Sequence, residues 1–203
     1  ESPVPFVVLG TGQVLAEEVH ETRCTADGVP ILRRCSAGGC VLQGPGSLNY
    51  SLCLTYDAFP QTRSLCASYA FILGRLSDVF RACGTDVRRA GISDLALGGR
   101  KVGGSAQRRK RRAFLHHGTL LYAGDSATMA RYLREPKDRP EYRGNRSHTE
   151  FVSVLPCARD MLRRCVLDAF GPCEPGAPTA EELAATSRLD REKYRDSAWT
   201  RRR

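Results

Sequence analysis

The sequence predicts a mixed α/β (α+β) domain in which a largely antiparallel sheet is flanked by helices. Three observations carry this. Strand-like apolar runs are joined by tight, glycine-bearing turns rather than by regular βαβ crossovers. Residues 64–83 repeat apolar side chains at helical spacing. Beyond Asp125 the chain reads as mostly helical.

The elements follow in order. Residues 6–9 form a short buried strand closed by Gly10-Thr11-Gly12, residues 14–20 a helix, and residues 30–34 a second strand. Leu48, Tyr50, Leu52, Leu54 and Tyr56 alternate along a half-buried strand. Leu65, Tyr69, Ile72, Leu76, Val79 and Phe80 give a helix its apolar stripe, and Gly84 is placed to cap it. Residues 92–97 and 100–108 pair through a Gly98-Gly99 hairpin turn, and residues 113–122 form the next strand. Asp125-Ser126 caps a helix to Arg134, and Pro156 opens another to Phe170. Residues 171–178 form a Pro/Gly linker before a helical tail, which begins with the capping box of Thr179 and Glu182. A single catalytic domain spanning residues 1–203 is expected.

Composition narrows the function. With 41% hydrophobic and 26% charged residues, the 203-residue chain is globular rather than disordered or fibrous. No apolar run reaches the about 18 residues of a membrane span, so no membrane association is expected. The net charge of +9 invites a nucleic-acid reading. However, the basic run Arg108-Arg109-Lys110-Arg111-Arg112 lies at a hairpin tip without aromatic residues to stack on bases, so that partner is not expected.

The nine cysteines include no C-x-x-C pair, which favours free thiols in a reducing cytoplasm over a disulfide framework or a zinc site. Cys53, Cys66, Cys83 and Cys165 are expected to be buried. No signal-peptide pattern opens the chain.

Three segments put small and polar residues on strand-like stretches. They are Arg33-Arg34-x-Ser36-x-Gly38-Gly39, then Ser93-Asp94-Leu95 with Gly99-Arg100-Lys101-Val102-Gly103-Gly104-Ser105-Ala106-Gln107, and His116-His117-Gly118-Thr119-Leu120-Leu121. The set suits activation of a carboxylic acid. A strand lysine can meet both carboxylate and phosphate, glycines let a ligand lie on the backbone, and an aspartate can orient the lysine or hold magnesium. Taken singly, Lys101 would be a solvated strand residue and Asp94 a turn residue.

In order and spacing these motifs resemble the lipoate–protein ligase family, part of the wider group with biotin–protein ligases and octanoyl transferases; the likeness runs from about Phe6 to Trp199. Lys193-Tyr194 and Trp199 resemble the end of that catalytic domain. The resemblance implies a class II synthetase-like, biotinyl/lipoyl-ligase fold. It also implies a two-step reaction: lipoate and ATP with Mg2+ give lipoyl-AMP, which then acylates a lysine of an acceptor lipoyl domain. Lys101 and Asp94 match the catalytic pair, with Asp94 an expected magnesium contact. Arg34, Ser36, Gly38, Gly39, Gln43, Gly104, Ser105, Ala106, His117, Gly118 and Thr119 match the lipoyl- and adenylate-binding residues. Arg108, Arg109, Lys110, Arg111 and Arg112 are expected to form a docking tip for an acidic acceptor, with a solvated turn as the plain alternative.

Departures from the family pattern are Ala37 for a glycine, Gln43 for a histidine, and the lack of the usual opening helix before Glu1. No accessory domain of about 100 residues is expected after Arg203, so a separate accessory subunit is a candidate partner. The main alternative is a lipoyl or octanoyl transferase working through an acyl-thioester on cysteine. A non-catalytic lipoyl-domain or nucleic-acid binder is the other.

Overall fold

A computed structural model describes residues 1–202. The chain runs β1 (Phe6–Leu9), α1 (Leu15–Glu18), α2 (Glu21–Ala26), β2 (Ile31–Arg33), β3 (Val41–Gln43) and β4 (Ser47–Thr55). It continues with α3 (Leu65–Ala82), β5 (Arg88–Ala90), β6 (Asp94–Leu97), β7 (Arg100–Arg109), β8 (Ala113–Leu121) and α4 (Ser126–Tyr132). The last helices are α5 (His148–Phe151), α6 (Arg159–Phe170), α7 (Ala180–Leu189) and α8 (Ser197–Arg201), with a π turn at Asp190–Tyr194 before α8.

Five strands form an antiparallel sheet in the order β4-β8-β7-β6-β5. A smaller sheet, β2-β1-β3, pairs β1 parallel to β2 and antiparallel to β3. The mixed, largely antiparallel fold predicted from the sequence is the one observed.

α3 and α6 cover one face of the large sheet. Tyr69, Leu73, Leu76 and Phe80 of α3 and Leu162 and Cys165 of α6 meet Leu95, Val102 and Leu120 in the main core. The Ser64 hydroxyl caps α3 by accepting from the Ala67 N–H, and Gly84 follows it at φ +81°. Gly98 and Gly99 turn the β6–β7 hairpin at φ +56° and +74°, a pair of values that only glycine adopts cheaply. A second core joins Val7 and Leu9 of β1 to Leu15, Cys24, Tyr132 and Leu133.

Tertiary pairing alters three predicted boundaries. The helix expected over residues 14–20 breaks at Val19, which is extended and bridges to Leu133. The same bridge ends α4 at Tyr132, short of Arg134. α6 begins at Arg159 because the Leu155 N–H is still bonded to the Leu121 carbonyl, which keeps the chain extended toward Pro156. β3 lies unforeseen inside the glycine-rich segment.

Three cysteine expectations fail. Cys165 is buried, but Cys53, Cys66 and Cys83 are exposed. Cys53 takes the outer side of β4 because Tyr50, Leu52 and Leu54 take the core side. Cys66 lies in the first turn of α3, and Cys83 is its C-cap.

Residues 171–178 carry no regular structure, and Thr179 and Glu182 form the predicted capping box. Among the described residues, no helix is long and apolar enough to cross a membrane.

Candidate functional site

The face of the large sheet away from α3 and α6 carries the site, and a register shift in β6–β7 sets it up. Leu95 pairs with Gly103 while Ala96 pairs with Lys101, leaving Val102 as the extra residue of a β-bulge. Val102 turns into the core at 0% exposure. Lys101 and Gly104 therefore share one side of the strand, although plain alternation would put them on opposite sides.

That shared side explains the glycine. A Cβ at Gly104 would lie 2.9 Å from both Cε and Nζ of Lys101. The lysine thus stretches over a bare stretch of backbone to Asp94, Nζ to Oδ1 2.8 Å. Tyr142 donates its hydroxyl to the other oxygen, Oδ2, at 2.8 Å. Burial first, then the Asp94 charge, push the Tyr142 hydroxyl above its ordinary pKa, so it remains a donor. Gly104→Ala is expected to push the lysine end aside, leaving the melting temperature within a few degrees while turnover in the reaction proposed below falls about tenfold or more. Unchanged turnover would refute the crowding argument.

The loop after β2 forms a neighbouring wall. Arg34 spends its guanidinium on the loop itself, donating to Ser36 Oγ and to the carbonyls of Val8, Ala37 and Gly39. Gly10 permits the fold of this loop, since a Cβ there would lie 2.0 Å from the Gly38 carbonyl oxygen. Ser36 Oγ lies 2.6 Å from His117 Nε2. Burial and then Arg34 lower the His117 pKa, favouring the neutral ring.

His116 faces the other way, toward α3, as alternation requires. It is fully buried, with its ring nitrogens near Tyr50 Oη and Gln107 Nε2. Burial pushes its pKa down to about 3. The unfolded chain would take up this proton near about pH 6.5. The stability owed to neutral His116 is therefore complete above that pH and is lost toward pH 3, at up to about 1.4 kcal/mol per pH unit. Urea melts at pH 7, 5.5 and 4.5 should show a flatter slope for His116→Gln than for the parent; equal slopes would contradict this.

A cavity of about 520 Å³ opens beside the pair, lined by Gly39, Gln43, Asp94, Lys101, Gly104 and Thr119 among the predicted site residues. A second cavity of about 400 Å³ adjoins it across Leu42, Gln43, Leu121, Met129 and Val152. Both lie within the range of small-molecule sites. Gln43 is held in a closed ring: its Nε2 donates to Thr119 Oγ1, which donates to Asn49 Oδ1, while Asn49 Nδ2 donates back to Gln43 Oε1. Cys40 also lines the cavity, but burial pushes its thiol up to about 12.

Not every predicted residue converges there. Arg34, Ser36, Gly38, Ala106 and His117 cluster to one side, where a Cβ at Gly38 would touch both Arg34 and Ala106. Ser105 and Gly118 point to the helix-covered face, toward Tyr50, so they can offer the cavity only backbone. In the basic tip, Arg108, Lys110, Arg111 and Arg112 are exposed. Arg109 is not: it bonds Ser68, Gln107 and the carbonyls of Thr62 and Arg63, and lies over Tyr56 and Phe114. The tip is eight strand residues from Lys101, a distance of about 26 Å.

Sequence reasoning missed residues 134–152, which supply Pro136, Asp138, Arg139, Arg143 and Phe151 to the cavity. Their local signals were two prolines, scattered arginines and the capping box of Ser147 and Glu150, none of which points to a cavity. Among the described residues, no group of three or more His, Cys, Asp or Glu side chains could hold a metal. A magnesium ion here would rest on Asp94 with substrate phosphates and water, a donor set this ion accepts.

The profile of the lipoyl protein ligase A/B catalytic domain matches residues 3–162. The chain belongs to that family. Lipoate–protein ligase 1 of Staphylococcus aureus is 24% identical over 204 residues, covering 96% of this chain and 61% of its own length. This family member thus spans less than two thirds of that relative. In fold it is similar to the bipartite lipoate protein ligase of Thermoplasma acidophilum, with TM-score 0.85 and 21% identity over 97% of this chain and 80% of that one. A lipoate-protein ligase A structure bound with ATP gives TM-score 0.85 and 21% identity, covering 97% of this chain and 82% of its own.

Proposed function

We propose that the chain activates lipoate with ATP to lipoyl-AMP and transfers the lipoyl group to a lysine of an acceptor lipoyl domain. The observation that carries this is the Lys101–Asp94 pair held over Gly104 on the wall of the cavity. In the first step the lipoate carboxylate attacks the α-phosphorus of ATP and pyrophosphate leaves. Two anions must meet, and the Lys101 ammonium is placed to bridge the carboxylate and the α-phosphate. Asp94 aims that ammonium. Asp94 is the residue that would hold magnesium, and the ion when bound would supply charge neutralisation to the nucleotide phosphates. In the second step the acceptor amine attacks the acyl carbonyl, AMP leaves and the amine proton passes to solvent. Lys101 then polarises the same carbonyl.

For the cysteine-transferase alternative, Cys40 is the one cysteine that lines either cavity among the described residues. Its thiol is held protonated. Cys83 and Cys165 belong to the helix layer, across the sheet.

As for partners, the exposed cations Arg108, Lys110, Arg111 and Arg112 suit an acidic acceptor domain approaching from the side. The two-part Thermoplasma ligase makes a separate accessory chain a natural candidate. A cytoplasmic location fits the free thiols.

The test incubates the protein with lipoate, MgATP and an apo-lipoyl domain and reads the acceptor's mass. A lipoyl adduct that requires ATP is expected. An adduct formed only from an acyl-carrier protein without ATP would replace the ligase reading with transfer.

A further inference from the structure

We propose that Tyr142 is a positioning residue for the Lys101–Asp94 pair, so that the segment folded over the cavity, residues 135–147, sets the geometry of the activating lysine. The inference rests on the ligase reading and adds to it a residue that none of the sequence motifs contains.

The argument begins with Asp94. A carboxylate that turns about its last bond can offer a lysine either oxygen, or both. Here Tyr142 Oη occupies Oδ2 at 2.8 Å, leaving Oδ1 to face Lys101 Nζ, also at 2.8 Å. Side-chain exposure is 9% for Asp94, so little water competes for these positions. One hydroxyl thereby selects one carboxylate orientation and holds the ammonium above Gly104.

Tyr142 itself has little freedom. Its ring meets Phe151 at a centroid distance of 5.1 Å. On another side lies Gly91, where a Cβ would come within 3.5 Å of the tyrosine ring. The segment is tied at both ends. Glu135 accepts from the His148 N–H at 2.9 Å and pairs with Arg143. Arg146 donates to the Gly99 carbonyl at 3.0 Å and to the carbonyl of Tyr142. The hairpin turn that begins the lysine strand and the segment that carries the tyrosine are thus fastened together. Pro136, Arg139 and Arg143 of the same segment line the cavity, so one segment both walls the cavity and holds the hydroxyl on Asp94.

Tyr142→Phe separates positioning from packing, because it keeps the ring against Phe151 and Gly91 and removes only the hydroxyl. The melting temperature should stay within a few degrees. The turnover number for acyl-adenylate formation should fall about tenfold to a hundredfold, with KM for lipoate and ATP changed less than about threefold. A second readout needs no activity: modification of Lys101 by acetic anhydride, followed by peptide mass spectrometry. Released from a fixed carboxylate, Lys101 should react several-fold faster in Tyr142→Phe than in the parent. Parental turnover with parental Lys101 reactivity would overturn the proposal, since the ring alone would then suffice. A rise confined to KM for ATP, with unchanged Lys101 reactivity, would also overturn it and make Tyr142 a nucleotide contact. If the parent forms no acyl-adenylate, the ligase reading fails, and the lysine reactivity still decides the positioning role.

Discussion

Lys101→Ala is expected to lower acyl-adenylate formation about a thousandfold while the protein stays folded. In the proposed reaction the first step would bring a carboxylate onto a phosphate, and the lysine is the cation placed to meet both. Of the nearby arginines, Arg139 and Arg143 are committed to Glu135, Arg134 to the Val19 carbonyl, and Arg34 to its own loop. None can move into the vacancy without leaving its partners. The fold should survive because the Lys101 side chain is 30% exposed and Asp94 retains the Tyr142 hydroxyl. The stability loss should stay below about 2 kcal/mol. Lys101→Arg should recover little, since a planar fork cannot replace a compact ammonium stretched over a glycine. The checks are single-turnover formation of the adenylate and a urea melt. Turnover within about tenfold of the parent would remove Lys101 from the chemistry.

Arg33→Met is expected to cost about 3–5 kcal/mol of stability and to release the C-terminal tail. Arg33 is 2% exposed. Its Nε donates to the Thr200 carbonyl at 3.0 Å, and its Nη1 donates to the carbonyls of Gly10 and Gln13 at 2.8 and 2.7 Å. In return, Trp199 Nε1 donates to the Arg33 carbonyl at 2.8 Å. A methionine fills much of the volume but leaves those three carbonyls without this donor. The chain has one tryptophan, so its emission reports the event directly. A red-shifted maximum together with the lower urea midpoint is expected. An unshifted maximum with a loss under about 1 kcal/mol would show that the tail docks without Arg33. Because Arg33 precedes the loop built by Arg34, KM should rise in the variant as well.

Much of this was legible in the chain. The hairpin at Gly98 and Gly99, the long helix closed by Gly84, and the capping box at Thr179 each rest on a local rule, so sequence alone places them. Lys101, Asp94 and Gly104 were legible as a motif. Other features depend on what a segment meets. Val19 breaks a helix because Leu133 offers it a backbone partner 114 residues away, a separation that no local window spans. Cys53, Cys66 and Cys83 occupy apolar stretches, yet strand alternation and helix position turn them outward. Arg109 looked like its neighbours in the basic run, and only the strand's inward side gives it Thr62, Arg63 and two aromatic rings.

By itself the sequence determined the mixed α/β class, the family, and which lysine and aspartate to examine, because strand period, turn glycines and motif spacing are properties of neighbouring residues. Tertiary structure alone decided which side of β7 that lysine takes. The bulge at Val102 exists only when β6 and β7 pair, and it brings Lys101 and Gly104 onto the same side. It decided too that Arg34 braces its own loop, and that Tyr142 reaches Asp94 across 48 residues. A hydrogen bond over that separation is specified by packing, and no local pattern encodes it.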